Sequence, residues 1–234
     1  MLEIRNADIN YGKGAIVQDV SFHVGDGEKI VILGRNGVGK TTLLKGLIGV
    51  LPLSKGTLQV DETDLTKSKP HVRVKAGIAY VPQGREILPD FTVRENIELG
   101  FLGDVRKDKN LEASVERVLD YFPILKDHLN RKGGVLSGGQ QQQLAIARAL
   151  MSNPKYLLLD EPTEGIQPNI VSEMANILNR IADEMQVSII LVEQNINFAF
   201  KIAEKYMILH KGEVVESGLA SDISDETIHK YLSV

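Results

Sequence analysis

Two adjacent carboxylates, Asp160 and Glu161, follow the apolar run 157–159 in the segment LLLDEPTEGIQP. A short, continuously apolar run is typical of a strand that is buried on both faces. Ionised carboxylates rarely lie at the end of such a strand unless a cation or hydrogen-bond donors compensate their charge. The pair therefore predicts a polar site at the end of a buried strand, in which each acid needs its own role.

A glycine-rich segment, GRNGVGKTT at residues 34–42, lies between a second apolar run, IVIL, and the helix-like sequence TLLKGLIGV. It matches the pattern G-x-x-x-x-G-K-[ST] in the strand–loop–helix context that a phosphate-binding loop requires. Its glycines let successive backbone N–H groups point at one phosphate cluster, and the helix N-terminus adds positive potential. The alternative is a plain glycine turn. The predicted ATP contacts in this loop are Gly34, Arg35, Asn36, Gly37, Val38, Gly39, Lys40, Thr41 and Thr42.

The spacing of this loop also assigns roles within it. Lys40 can reach the β- and γ-phosphates of a nucleotide, and the Thr41 hydroxyl can ligate Mg²⁺. In P-loop enzymes an aspartate at the end of another strand holds the same ion, so Asp160 is the predicted second ligand. Glu161 would then polarise the attacking water as a general base. The alternative for these acids is a cap on the following helix.

A second anion-binding sequence, LSGGQ at residues 136–140, precedes the acid pair. Ser137 is a good N-cap for the helix that follows, and Gly138 and Gly139 leave the N–H groups of that helix accessible. With Gln140, the segment resembles the signature motif of the ATP-binding-cassette (ABC) family; alone, it would be a capped helix after a glycine turn. The resemblance implies that two cassettes face each other head to tail. Each signature would then act on the ATP of the partner.

The resemblance covers essentially the whole chain and implies roles for two more residues. Tyr11 occupies the place of the aromatic residue that stacks on adenine, although a tyrosine in a turn at the end of a strand would look the same. Gln83, in YVPQGRE, matches the glutamine that contacts Mg²⁺ and the attacking water and that senses the transmembrane partner. The alternative for Gln83 is a plain polar loop residue.

Two positions depart from the common family pattern. Most cassettes carry a histidine after the run SIILV that contacts the γ-phosphate, whereas this chain has Gln194 in LVEQN. Glutamine can donate a hydrogen bond but cannot carry a proton, so Gln194 is predicted to act catalytically as a positioning donor beside Glu161. Gln167 stands where many cassettes have an aspartate that reaches across the dimer. Because it precedes Pro168, its backbone is expected to be extended, with neutral hydrogen bonding to the partner.

These departures resemble the group of branched-chain amino-acid and urea or amide importers. Within that group, the motifs look most like the urea-type ATP-binding subunit, with the branched-chain amino-acid type as the alternative. The resemblance implies ATP and Mg²⁺ as cofactors, a second ABC ATPase subunit (a sister cassette or a second copy of this chain) and membrane permease subunits as partners. It also implies a peripheral position at the cytoplasmic face of the inner membrane, without direct contact to the cargo.

The elements that must position these residues alternate between strand and helix. Four continuous apolar runs predict buried parallel strands, and period-2 patterns in LEIRNADIN and VQDVSFHV predict half-exposed strands near the start. Helical patterns include a long region at about 92–150 and the stretch that follows Pro168, and a hairpin is expected at Lys211–Gly212. Together with the resemblance, this predicts an α/β fold. It is a P-loop NTPase (RecA-like) core with an N-terminal antiparallel β subdomain and a helical subdomain inserted at about 88–150, in one domain of residues 1–234.

Composition argues against other classes of protein. The formal net charge of the 234 residues is −4, whereas a nucleic-acid-binding protein needs a basic surface. The absence of cysteine excludes disulfide frameworks and thiolate metal sites, and no apolar run approaches a membrane-spanning length, so the chain is expected to be soluble. A soluble cassette ATPase of DNA repair or translation would usually carry a coiled-coil insertion or tandem cassettes. A P-loop GTPase or small-molecule kinase would leave LSGGQ unexplained.

Overall fold

A computed structural model describes residues 1–12, 14–106 and 110–232. The strands of these residues form one sheet of six strands and one of four. In chain order they are β1 (Leu2–Tyr11), β2 (Gly14–Val24), β3 (Lys29–Leu33), β4 (Leu53–Val60), β5 (Thr63–Asp64), β6 (Ile78–Val81), β7 (Tyr156–Asp160), β8 (Ser188–Glu193), β9 (Lys205–His210) and β10 (Glu213–Leu219).

The larger sheet has the strand order β10-β9-β3-β8-β7-β6. Strands β9, β3, β8, β7 and β6 run parallel, and β10 returns antiparallel to β9. The hairpin between β9 and β10 turns at Lys211 and Gly212, as predicted, and both residues have positive φ angles (49° and 87°). Every residue of β7 and β8 is buried, which explains the continuous apolar runs at 156–159 and 189–192.

The smaller sheet is antiparallel, with the order β2-β1-β4-β5, and corresponds to the predicted N-terminal sheet. Its inner face packs against a helix, α1 (Lys40–Ile48), which also packs on one face of the larger sheet. Alternate residues of β3 pack into two hydrophobic cores, one on each face of the larger sheet. Ile30 and Ile32 pack toward α1, and Val31 and Leu33 pack toward the helices on the other face. Helix α1 is therefore held between two sheets, with the glycine-rich loop at its start.

The other helices of the described residues follow the predicted order. The long helical region predicted at about 92–150 consists of several helices between β6 and β7. One break follows from Pro123, which starts a new helix directly after Phe122, the C-cap residue of the helix before it. The predicted limits of an inserted helical subdomain, 88–150, stay a prediction. These helices are α2 (Pro70–Lys75), α3 (Val93–Gly100), α4 (Leu111–Tyr121), α5 (Pro123–Lys126), α6 (Gly138–Leu150), α7 (Pro168–Met185), α8 (Ile196–Ile202) and α9 (Asp225–Tyr231).

The strand order explains how distant motifs meet. Strand β8 lies between β3 and β7, and all three are parallel, so their carboxyl ends share one edge of the sheet. Gly34 follows β3, Asp160 ends β7 and Glu193 ends β8. Ligand sites of open α/β sheets lie at this edge. Across the described residues, none of the helices combines the length and the apolar character needed to cross a bilayer.

Replacing Gly100 with alanine is expected to destabilise the fold, because α3 and α6 meet at this position without space for a methyl group. A Cβ atom on Gly100 would lie 1.8 Å from the carbonyl oxygen of Arg148. Overpacking of this kind costs about 3 kcal/mol. Urea unfolding followed by circular dichroism measures the loss. Gly14→Ala is the control, since its Cβ would meet no atom closer than 3.8 Å; equal stability of the two variants would contradict the prediction.

Candidate functional site

A cavity of about 430 Å³ lies beside the glycine-rich loop, at the carboxyl edge of the larger sheet. It contains residues from four separate parts of the chain that the sequence predicted to act together. Tyr11, which is 66% exposed, lies on its wall together with Ile16. The predicted site residues that line it are Tyr11, Asn36, Gly37, Gly39, Lys40, Thr41, Thr42, Gln83 and Glu161.

The glycine-rich loop is wrapped around the side chain of Lys40. The Nζ atom donates hydrogen bonds to the carbonyl oxygens of Gly34 (2.8 Å) and Arg35 (3.0 Å), and the residue is only 4% exposed. Gly37 and Gly39 have φ angles of 77° and 110°, which other residues adopt only under strain. The loop therefore holds one buried ammonium group at the start of α1, where the helix dipole also favours an anion.

Asp160 is almost completely buried (1% exposed) and accepts two side-chain hydrogen bonds. The Thr41 hydroxyl donates to Oδ1 (3.0 Å), and the Tyr80 hydroxyl donates to Oδ2 (3.0 Å). Burial raises the pKa of Asp160 above its usual value, and the two hydrogen bonds oppose that shift. Burial and the neighbouring Asp160 charge also raise the pKa of Tyr80, so its hydroxyl remains a donor. The sequence analysis did not identify Tyr80, because an aromatic residue in the strand IAYV carries no sign of its partner.

The oxygen atoms at this point fit a magnesium ion. Mg²⁺ is usually held by one or two carboxylates together with phosphate oxygens of the substrate. The hydroxyl of Thr41 and the carboxylate of Asp160 already contact each other, and Gln83 lines the cavity that Thr41 borders. The roles of these three residues as ligands stay predictions.

Replacing Tyr80 with phenylalanine is expected to weaken the response to Mg²⁺. The variant loses a donor that stabilises ionised Asp160, so the pKa of this carboxyl rises further and protons compete better with the ion. The Mg²⁺ concentration for half-maximal ATP hydrolysis should rise about tenfold, the effect of one hydrogen bond to a charged group, and more as the pH falls.

The pH dependence and a matched variant test this expectation. Because only the ionised carboxylate binds the ion, the difference between Tyr80→Phe and wild type should shrink as the pH rises above the pKa of Asp160. Tyr206→Phe is the control, since Tyr206 also donates to a carboxylate (Glu216, 2.7 Å) but lies outside the cavity. The same Mg²⁺ requirement in Tyr80→Phe and wild type at every pH would show that Tyr80 does not support the ion site.

Glu161 lies between two side chains that can hold it. Its Oε1 atom is 3.3 Å from Nζ of Lys40 and accepts a hydrogen bond from Nε2 of Gln194 (2.8 Å). Its backbone has a left-handed conformation (φ 46°), and its N–H donates to the carbonyl oxygen of Val192 (2.9 Å). The structure thus brings Gln194 to Glu161, where the sequence analysis expected a positioning donor.

The loop that carries Gln83 is bound to the loop after β7. Nε2 of Gln83 donates to Oε2 of Glu164 (3.0 Å), and Arg85 donates to the carbonyl oxygen of Glu164 (3.0 Å). Arg148 of α6 donates to the carbonyl oxygen of Glu86 (2.8 Å). Sequence reasoning missed Arg85 and Arg148, since their acceptors are mainly backbone oxygens of distant loops. A movement of the Gln83 loop would therefore also displace groups in α6 and in the loop that follows Glu161.

The signature residues Ser137, Gly138, Gly139 and Gln140 are not among the residues that line the Lys40 cavity. Ser137 caps α6, as predicted: its Oγ accepts from the N–H of Gln140 (3.4 Å), and its own N–H donates to Oε1 of Gln140 (3.0 Å). Gln167 is extended before α7 (φ −67°, ψ 144°), also as predicted. The action of the signature and of Gln167 on a partner chain stays a prediction.

The fold and the loop around Lys40 define a P-loop nucleotide-binding protein, and comparison with known proteins identifies its family. A family model described as ABC transporter matches residues 17–164. The chain belongs to the ABC transporter family, and the predicted α/β P-loop fold is confirmed. It is an ATP-hydrolysing subunit that uses ATP with Mg²⁺.

Known relatives and solved structures align with most of this chain. A high-affinity branched-chain amino acid transport ATP-binding protein, BraG of Pseudomonas aeruginosa, is 38% identical over 92% of this chain and 91% of its own length. A probable branched-chain amino acid transport ATP-binding protein, LivF of Archaeoglobus fulgidus, is 33% identical over 95% and 94%. A dimeric ATP-binding cassette solved in a post-hydrolysis state with ADP and Pi aligns with a TM-score of 0.84 and 26% identity over 94% of this chain and 99% of that one. These relatives support the alternative cargo class better than urea, which the sequence analysis had preferred.

Proposed function

We propose that this chain is the ATP-hydrolysing subunit of an importer for branched-chain amino acids. Residues of the P-loop and Glu161 line its cavity, and Thr41 of that loop donates a hydrogen bond to Asp160. These are the parts that one half of a composite ATP site requires. BraG and LivF, whose names specify branched-chain amino acid transport, support this cargo class. Urea is not the main proposal, because both names specify branched-chain amino acids and neither mentions urea.

The observation that carries the mechanism is the separation of the signature from the Lys40 cavity within one chain. A second cassette, either a sister subunit or another copy of this chain, would bring its own Ser137-type helix N-terminus to the open side of the cavity. A solved cassette of this fold is dimeric in a post-hydrolysis state with ADP and Pi bound, which supports such pairing. Pairing would complete two sites at once and would exclude water from the reacting phosphate.

In the closed site, the role of each residue would follow from the contacts that it makes in the structure. Tyr11 would stack on adenine, and Lys40 would exchange the carbonyl oxygens of its loop for phosphate oxygens. Thr41, Asp160 and Gln83 would hold Mg²⁺, which supplies positive charge to the β- and γ-phosphate oxygens. Glu161 would accept the proton of the attacking water, and Gln194 would orient its carboxylate.

A permease is proposed to dock beside the Gln83 loop. A groove of about 350 Å³ is lined there by Tyr80, Leu88, Leu99 and Arg148, among others. Tyr80 lies in this groove and also donates to Asp160, so a permease segment in the groove would contact the strand next to the ion site. This docking would keep the chain on the cytoplasmic face of the membrane as a peripheral subunit, without contact to the cargo.

Growth and uptake measurements separate the two cargo classes. A deletion strain of the source organism should lose growth on leucine as the sole nitrogen source and the uptake of labelled leucine, while growth on urea stays normal. The wild-type gene should restore both, and a gene for the Glu161→Gln variant should not. A selective loss of urea uptake would make urea the cargo. If the deletion strain lost uptake of neither leucine nor urea, both cargo assignments would be refuted, and the ATPase assignment would be unaffected.

A further inference from the structure

Glu193 is a buried carboxylate, 2% exposed, at the end of β8, and it takes no part in the mechanism proposed above. It accepts hydrogen bonds at both oxygen atoms. Oε1 accepts from the hydroxyl of Thr163 and from its N–H (3.3 Å), and Oε2 accepts from the N–H groups of Gln194 (2.7 Å) and Asn195 (2.8 Å). Four donors from two loops therefore converge on one side chain.

These two loops carry the pair at which hydrolysis is proposed to occur. Thr163 lies two residues after Glu161, in the loop that follows β7, and Gln194 begins the loop that follows β8. The amide of Gln194 donates to Glu161 (2.8 Å). A continuous chain of contacts thus runs from Thr163 through Glu193 to the backbone of Gln194 and back to the Glu161 carboxylate. A fifth residue, Asn195, also donates to Glu193, and its Oδ1 caps α8 by accepting from the N–H of Phe198 (3.1 Å).

All four groups donate, so this arrangement requires an acceptor at both oxygen positions of residue 193. Hydrogen bonds to an ionised carboxylate are roughly twice as strong as those between neutral groups. An uncharged amide at position 193 would have to place its own NH₂ group against donors on one side, so it could satisfy only one of the two loops.

We propose that Glu193 is a positioning residue for ATP hydrolysis, which ties the loop of Glu161 to the loop of Gln194 and so fixes the Gln194 amide against the Glu161 carboxylate. The inference rests on the proposed role of Glu161 as the base. It assigns a task to the third residue of LVEQN, which the family resemblance leaves without one. Glu193 is not among the residues that line the Lys40 cavity, so it acts on orientation and not on ATP binding.

The variant Glu193→Gln in the full-length chain, in the assembly that copurifies with it, tests this role. We expect kcat for ATP hydrolysis to fall about 10-fold to 100-fold, the size of effect that a misplacement of roughly 1 Å can have. The KM for ATP and the affinity for a fluorescent ATP analogue should stay within about twofold, since Glu193 does not line the Lys40 cavity. Glu193→Asp keeps the charge and should recover part of the rate. Glu213→Gln, an exposed residue of β10, is the control for loss of one charge.

A double-mutant comparison distinguishes positioning from a purely structural role. If Glu193 acts through Gln194, then Glu193→Gln should add little to the loss of kcat already caused by Gln194→Ala. Full additivity, or a loss of kcat that tracks only a lower melting temperature, would overturn the inference. Unchanged kcat in Glu193→Gln would overturn it as well. Glu161→Gln is measured in the same series. If Glu161→Gln keeps normal turnover, the proposed base is wrong. If Glu161→Gln loses turnover while Glu193→Gln keeps it, only the proposed role of Glu193 is wrong.

Discussion

Replacing Glu161 with glutamine is expected to lower the rate of ATP hydrolysis by about 10³-fold, because a general base contributes about 10²–10⁴-fold and an amide cannot accept the proton of water. ATP binding should persist, since Lys40 and Thr41 are unchanged. The side chain keeps almost the same shape, so Gln194 can still donate to an oxygen at the position of Oε1. The paired cassettes should therefore accumulate in the ATP-bound, closed state.

Three measurements on the full-length chain check this result: steady-state phosphate release, ATP affinity and the mass of the particle with and without Mg-ATP. Wild type should dimerise only transiently, whereas Glu161→Gln should form a stable dimer that depends on ATP. Glu173→Gln provides a matched control, because Glu173 is exposed on α7 and lies outside the cavity. Normal turnover in Glu161→Gln would remove Glu161 from the role of base and leave Asp160 or a water chain to fill it.

Much of the fold was predictable because its strands and its P-loop are encoded locally. The run IVIL followed by GRNGVGKTT defines β3, the loop and α1 without reference to the rest of the chain. The same holds for the capping box of Ser137 and Gln140, since its four residues are contiguous. Local patterns of this kind predict an element and its ends, and the parallel order of strands then brings Gly34 and Asp160 to the same edge.

The contacts that support the site were not predictable in this way. Tyr80 and Asp160 are 80 positions apart, and Thr163 and Glu193 are 30 apart, so nothing in either local sequence indicates the partner. Arg73 is a further example. It is 1% exposed, and its guanidinium donates to carbonyl oxygens at the end of α1, including that of Leu47 (3.0 Å). With Lys67, Lys69 and Lys75, it forms a basic stretch whose sequence predicts a solvated segment, and this prediction is wrong for Arg73.

The ends of the individual helices within 92–150 were not predicted, although one of them has a local signal, because a proline directly after LEASVERVLDYF ends that helix. Gly100 differs, because a tertiary contact, the close approach of Arg148, requires glycine there. Sequence patterns thus located the reacting groups, and the tertiary contacts decide how rigidly those groups are held.

Replacing Lys40 with alanine is expected to have an effect as large as that of Glu161→Gln, with loss of binding in addition to loss of turnover. The Nζ atom of Lys40 satisfies the carbonyl oxygens of Gly34 and Arg35 and lies 3.3 Å from Glu161, so the loop would lose both its cation and its internal support. Removal of one preorganised donor costs about 10²–10³-fold in rate, and lost binding lowers kcat/KM further.

Lys40→Met separates these two losses, because methionine keeps the buried stem that packs in the loop and removes only the charge. ATP affinity by calorimetry should fall at least tenfold in both variants, while the melting temperature should fall more in Lys40→Ala than in Lys40→Met. Lys67→Ala, an exposed lysine outside the cavity, should bind and hydrolyse ATP normally. Wild-type ATP affinity and turnover in Lys40→Met would mean that the buried ammonium serves only to order its loop. The phosphates would then have to be held by the backbone N–H groups and the start of α1 alone.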